Sequence, residues 1–182
     1  AGGVIIGVLL ARFRWLSVTL GGLVLGLQTL PSVCWLPLSL LWFGLNESAI
    51  LFVVVMGAIL SITISTQTGI AQVPVLYTRA GRTLGARGVA LYLRVVFPAA
   101  FPTILTGLKQ GWSFAWRSLM AGELLYVTQG LGFLLQAGRE LNDVSQVFGV
   151  MLVIVTIGAL VDVVVFRRLE RWVRHHWGYA EA

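Results

Sequence analysis

The chain alternates long stretches without a single charged side chain and short clusters of arginine. No charged residue stands between Arg14 and Glu47, between Glu47 and Arg79, or between Asp143 and Asp162. The stretches are continuously apolar. A spanning barrel strand needs apolar and polar positions to alternate, whereas about 20 unbroken apolar residues cross a ~30 Å hydrocarbon layer as a helix with every backbone group satisfied internally. The pattern predicts an all-α, polytopic transmembrane bundle. Its spans fall at about 1–11, some part of 16–44, 47–67, 102–126 and 145–168. Ala1 reads as the inside of a helix whose beginning is missing, so about five spans are expected, with the first one absent.

The region 16–44 is too long for one straight crossing, because its residues would reach ~42 Å at the helical rise. Pro31 and Pro37 stand in its middle and are expected to break it. The reading is an elbow helix over 15–29, partly in the membrane interface, followed by a crossing piece over 30–43.

Composition changes the picture only by excluding a soluble domain. Of the 182 residues, 58% are hydrophobic and 11% are charged, against about 25% charged in soluble domains. One domain over 1–182 is expected. The single cysteine, Cys34, permits no internal disulfide and reads as a small buried apolar residue. The net charge of +6 does not point to nucleic acid, because its carriers are placed by topology. Arg12 and Arg14 follow the first span, Arg79, Arg82, Arg87 and Arg94 lie in 68–101, and Arg167, Arg168, Arg171 and Arg174 follow the last. If the spans alternate, these ten of the 13 Lys+Arg share one side. The positive-inside bias makes that side, and the C-terminus, cytoplasmic.

The segment 68–101 contains helix punctuation: Pro74 suits a first helical position and Gly85 a C-terminal stop. A second short helix over 87–96 is expected to end before Pro98. Two short helices between spans read either as a docking element or as a basic loop drawn to anionic lipid.

The run RAGRTLGARGVALYLRVVFPAAFPTILTGL, residues 79–108, resembles the cytoplasmic loop signature of the permease subunits of binding-protein-dependent ABC importers. Ala80, Gly85, Pro98 and Pro102 match that signature, while Arg79 and Gly81 stand where the family has Glu and Ala. LPSVCWLPLSLLWFGLNES (30–48) and AGELLYVTQGLGFLLQAGRE (121–140) are similar to the nitrate, sulfonate, taurine and bicarbonate branch. The resemblance implies a type I importer permease-like fold in a bacterial inner membrane. It implies a second permease copy, an extracytoplasmic solute-binding protein, and ATPase subunits coupled through Arg79, Ala80, Gly81, Gly85 and Ala86. No GxxxxGK[ST] occurs in the chain, so no cofactor is expected here, and ATP and Mg are assigned to the partner ATPase.

Charges inside spans are costly and tend to face a bundle interior or a wet pathway. Lys109, Arg117 and Glu123 fall in the fourth span and Asp162 in the fifth. Lys109 is expected near the inner end, snorkelling. Arg117, expected near mid-membrane, has two readings: lining the route of an anionic solute, or pairing with Glu123 or Asp162. Pairing with Glu123 is awkward, since a separation of six residues is ~240° around a helix. Ser61, Ser65 and Thr68 share a face at helical spacing, and either line a polar route or bond back to their own helix or a packed neighbour. Glu123, Ser61 and Ser65 join Arg117 as pathway candidates. Small residues four apart, Gly22 and Gly26, permit close helix approach. Adjacent His175 and His176 diverge on a helix and suit an interfacial tail anchored by Trp177 better than a metal site.

Two other functions stand beside the permease reading. A secondary transporter or channel subunit would need coupling charges or a pore of its own; only four charges lie at depth, and the sequence displays no internal inverted repeat. A scaffold without transport is the other. HExxH and GxSxG are both absent, which leaves no support for an intramembrane enzyme.

Overall fold

Asn46 and Asp143 start their helices by the same chemistry. The Asn46 side-chain oxygen accepts the Ser48 backbone N–H at 2.9 Å, and the Asp143 carboxylate accepts that of Gln146 at 3.0 Å. Each satisfies one of the orphan donors of a helix N-terminus just before an apolar run begins. The computed structural model describes residues 1–125 and 130–176, and every regular element among them is helical. The order is α1 (Gly2–Arg12), α2 (Arg14–Gln28), a 3₁₀ turn (Ser32–Trp35), α3 (Leu36–Phe43), α4 (Glu47–Ala71), α5 (Val75–Thr83) and α6 (Gly88–Leu91). A π turn (Tyr92–Val96) leads into α7 (Phe97–Leu125). Then come α8 (Leu131–Glu140), α9 (Val144–Val161), a second π turn (Asp162–Phe166) and α10 (Arg167–His176).

Three continuous helices are long and apolar enough to cross a membrane: Glu47–Ala71, Gly88–Leu125 and Val144–Val173. A fourth crossing is available from the pair Trp15–Gln28 and Ser32–Phe43, which meet at 103°. The elbow therefore exists, and the chain turns at Pro31, whose φ of −54° and ψ of 136° are extended. Pro37 breaks nothing, because it occupies the first turn of α3, where no backbone donor is needed.

The separate short helix expected over 87–96 is not present. Gly88 to Leu125 is one helix of 38 residues, running through both Pro98 and Pro102. The reason lies in the π turn before Pro98. A proline ring collides with the carbonyl four residues back, here that of Arg94, which sits in the widened turn. The last span likewise runs past its expected end, to Val173, through the second π turn.

The core is a seam of small residues between α4 and α7, which run antiparallel. A Cβ added to Gly107 would lie 2.2 Å from the Ser65 Cβ, and one on Gly111 would lie 2.7 Å from Ile62. On α4, Gly57 faces Ser118 and Gly69 faces Thr103 in the same way. Between spans the lipid is as apolar as the side chains, so association rests on close van der Waals packing, which small residues allow. Helix α1 lies parallel to α4 through Gly3 and Gly7, and the Thr63 hydroxyl donates to the Gly3 carbonyl at 3.2 Å. Gly22 and Gly26, by contrast, face open space. The last span is peripheral: 6% of its apolar window is buried, against 33% for α4. Arg12, Ala71, Gly88 and Arg167 consequently lie toward the same end of the bundle, which gathers the arginine clusters there. Helix α10 carries His175 near its end, and Trp177 lies outside the described residues.

Candidate functional site

The elbow between α2 and α3 leaves a cavity of about 400 Å³ against the two central spans. Leu27 to Val33 form one wall, Met56, Gly57 and Leu60 of α4 another, and Phe114 and Arg117 of α7 the third. Arg117 is the one charged residue in this lining. Its guanidinium carbon stands 4.8 Å from the Phe114 ring centroid, and its Nε donates to the Ser113 carbonyl at 3.2 Å. The ring and the carbonyl aim the side chain while leaving its outer nitrogens free of any carboxylate among the described residues. Arg117 is exposed, and it lies roughly two turns from Leu125, in the second half of α7.

Neither partner considered for Arg117 is available to it. Asp162 is engaged by Lys109, whose Nζ lies 3.0 Å from Asp162 Oδ1 and 3.7 Å from Glu170 Oε1. Lys109 therefore joins α7 to the last span instead of snorkelling. The Glu123 carboxylate accepts the Gly132 backbone N–H at 2.8 Å, at the N-terminus of α8, where a negative charge is favoured. Gly130 lies so close that an added Cβ would be 2.3 Å from that carboxylate.

Two of the three hydroxyl residues that share a face of α4 are turned inward. Ser61 is buried, with its Oγ lacking a hydrogen-bond partner, and Ser65 packs on Gly107. Thr68 is exposed. Of the four pathway candidates, Arg117 alone lines the cavity. Phe114 and the elbow wall were not legible beforehand, because their meeting depends on the 103° turn.

At the arginine-rich end, α5 forms a short arm. It begins after Pro74 and ends at Gly85, whose φ is +85°. The Ala86 N–H donates to the Gly81 carbonyl at 2.9 Å and the Gly85 N–H to that of Arg82 at 3.0 Å, the double closure of a Schellman motif. Gly81 is buried, and an added Cβ would lie 2.8 Å from Leu91 and 2.9 Å from Val95. Glycine at that position lets the arm rest directly on the start of the long helix. Arg79, Ala80 and Gly85 are exposed and Ala86 is half-buried, so Gly81 faces inward while its neighbours present a free surface.

A family model described as binding-protein-dependent transport system inner membrane component matches residues 3–175. A putative ABC transporter permease protein of Methanocaldococcus jannaschii is 37% identical over 158 residues, which is 86% of this chain and 59% of that protein. The putative aliphatic sulfonates transport permease protein of Escherichia coli is 30% identical over 91% of this chain and 63% of its own length. The bicarbonate transport system permease protein of Synechococcus elongatus is 31% identical over 94% of this chain and 62% of its own length. The chain thus spans about three fifths of the length of these relatives.

Proposed function

Because the chain belongs to the family of binding-protein-dependent transport system inner membrane components, we propose that it is the membrane-spanning permease subunit of an ATP-driven importer for a small anion of the nitrate, sulfonate, taurine or bicarbonate type. The observation that carries the solute class is Arg117, a cation that lines the elbow cavity and has no carboxylate partner among the described residues. An anion leaving water loses hydration, and a fixed positive charge in a low-dielectric route offsets that loss. One such charge also lets the ion leave again. The relatives named for sulfonates and bicarbonate support the same class.

In this reading the arginine-rich ends face the cytoplasm and α5 docks on a separate ATPase through Arg79, Ala80 and Gly85. A second permease copy completes the pathway, and a solute-binding protein delivers from the opposite face, where α8 lies. ATP and Mg bind the ATPase and not this chain.

The test is uptake in vesicles containing the permease, its ATPase and its binding protein. Arg117→Gln is expected to assemble and to hydrolyse ATP but to import the anion poorly. Arg117→Lys should transport better than Arg117→Gln, because it keeps the charge while losing the planar fork. Wild-type uptake by Arg117→Gln would exclude the pathway role. Uptake that persists without the ATPase would instead favour a secondary transporter or channel.

A further inference from the structure

Three arginines from separate parts of the sequence converge on a second cavity, of about 510 Å³, at the arginine-rich end of the bundle. Arg12 comes from the end of α1, Arg82 from α5 and Arg87 from the residue that precedes α6. Gly88, Leu91 and Tyr92 complete the wall. No acid is present in this lining, and none of the three arginines has a carboxylate partner among the described residues. Three like charges held around one space repel one another unless an anion is shared between them.

Two further features shape the site. The Arg12 guanidinium carbon lies 5.6 Å from the Tyr92 ring centroid and 5.9 Å from that of Phe13, which fixes its direction. The first turn of the 38-residue helix opens at Gly88, where Arg87 supplies no side-chain cap, so its backbone N–H groups add positive potential.

We propose that Arg12, Arg82 and Arg87 form a binding site for a phosphate-bearing anion, namely the headgroup of an anionic phospholipid. Guanidinium groups match phosphate oxygens in pairs, and basic pockets between spanning helices suit such headgroups. A lipid is favoured over a protein partner because apolar surface adjoins the charges. Ile5, Ile6 and Leu9 are exposed along α1 and Phe13 is exposed beside Arg12, which gives acyl chains a surface. The proposal does not rest on the transport reading.

The experiment places the purified full permease in phosphatidylcholine nanodiscs and measures its association with spin-labelled phosphatidylglycerol relative to spin-labelled phosphatidylcholine. The wild type is expected to prefer phosphatidylglycerol, and each Arg→Gln change at 12, 82 or 87 should weaken that preference about fivefold. The triple Arg→Lys variant should retain most of it, which separates loss of charge from loss of fold. Arg139→Gln, at the opposite end, should leave it unchanged. Competition by millimolar glycerophosphate or inorganic phosphate would uphold the phosphate site and assign it to a free anion. A triple Arg→Gln variant that stays folded with its preference intact overturns the proposal. If that variant also fails to copurify with the ATPase, the three arginines make a protein contact instead.

Discussion

Lys109 and Asp162 meet at 3.0 Å and tie the central span α7 to the peripheral last span, with Glu170 3.7 Å away on the same lysine. The last span buries little apolar surface in the protomer, so this cluster is a principal link to the bundle. Removing Lys109 leaves two carboxylates without their cation, and removing Asp162 leaves the lysine with only the longer contact to Glu170. Asp162→Asn and Lys109→Met should each lower the thermal midpoint of the purified protein, and the exchange Lys109→Asp with Asp162→Lys should recover part of the loss. Equal stability of all four proteins would show that the pair does not hold the helix.

The α4–α7 seam makes a sharper prediction. Gly107→Ala would place a methyl 2.2 Å from the Ser65 Cβ, a distance that forces the helices apart. The folded yield should drop, with a cost of about 1–3 kcal/mol typical of overpacking. Ser65→Gly removes the opposing atom, and the double variant should regain the yield in size-exclusion profiles. A fully folded Gly107→Ala single variant would show that the two helices are not this close.

Gly85 closes α5 with a φ of +85°, where a β-branched residue is strained by roughly 1–2 kcal/mol. On the proposed docking role of α5, Gly85→Val should leave the protein inserted but reduce stimulation of the ATPase. Gly85→Asn should restore most of it, since asparagine tolerates that conformation. Normal ATPase stimulation by Gly85→Val would remove α5 from the coupling role.

Orientation is testable by labelling single cysteines at Arg87 and Arg168 in intact cells, in a Cys34→Ser background because Cys34, expected to be buried, is exposed. An impermeant reagent should modify neither position and should modify a cysteine at Asn142. Reaction at Arg87 or Arg168 from outside reverses the assigned topology.

The spanning helices were legible because absence of charge is a property of each stretch alone, and so were the break at Pro31 and the stop at Gly85, whereas the caps at Asn46 and Asp143 emerge only from the structure. Continuity across Pro98 was not legible. Proline carries a strong local penalty, and its relief by the π turn at Tyr92–Val96 depends on the hydrogen-bond spacing of a neighbouring segment. Helix α8 also went unforeseen. Its signal was Asn142, whose φ of 53° ends the helix in the left-handed region, a role that asparagine fills less often than glycine. The partners of Lys109 and Glu123 depended on which helices become neighbours. Charges so far apart in sequence give no sign of meeting until the antiparallel pairing is known.

The two π turns set the azimuth of what lies beyond them. Each closes its backbone ring one residue later than an α turn, so everything past it is rotated by about 100° from the phase of a regular helix. The stretch Gly88–Leu91, against which α5 rests through Gly81, is clocked in this way relative to the seam face of α7. Deleting one residue within 92–96 would swing the arm around the bundle by the same angle and would also bring the Pro98 ring back onto the carbonyl four residues before it. The same turn thus sets both the direction of the arm and the continuity of the long helix across Pro98.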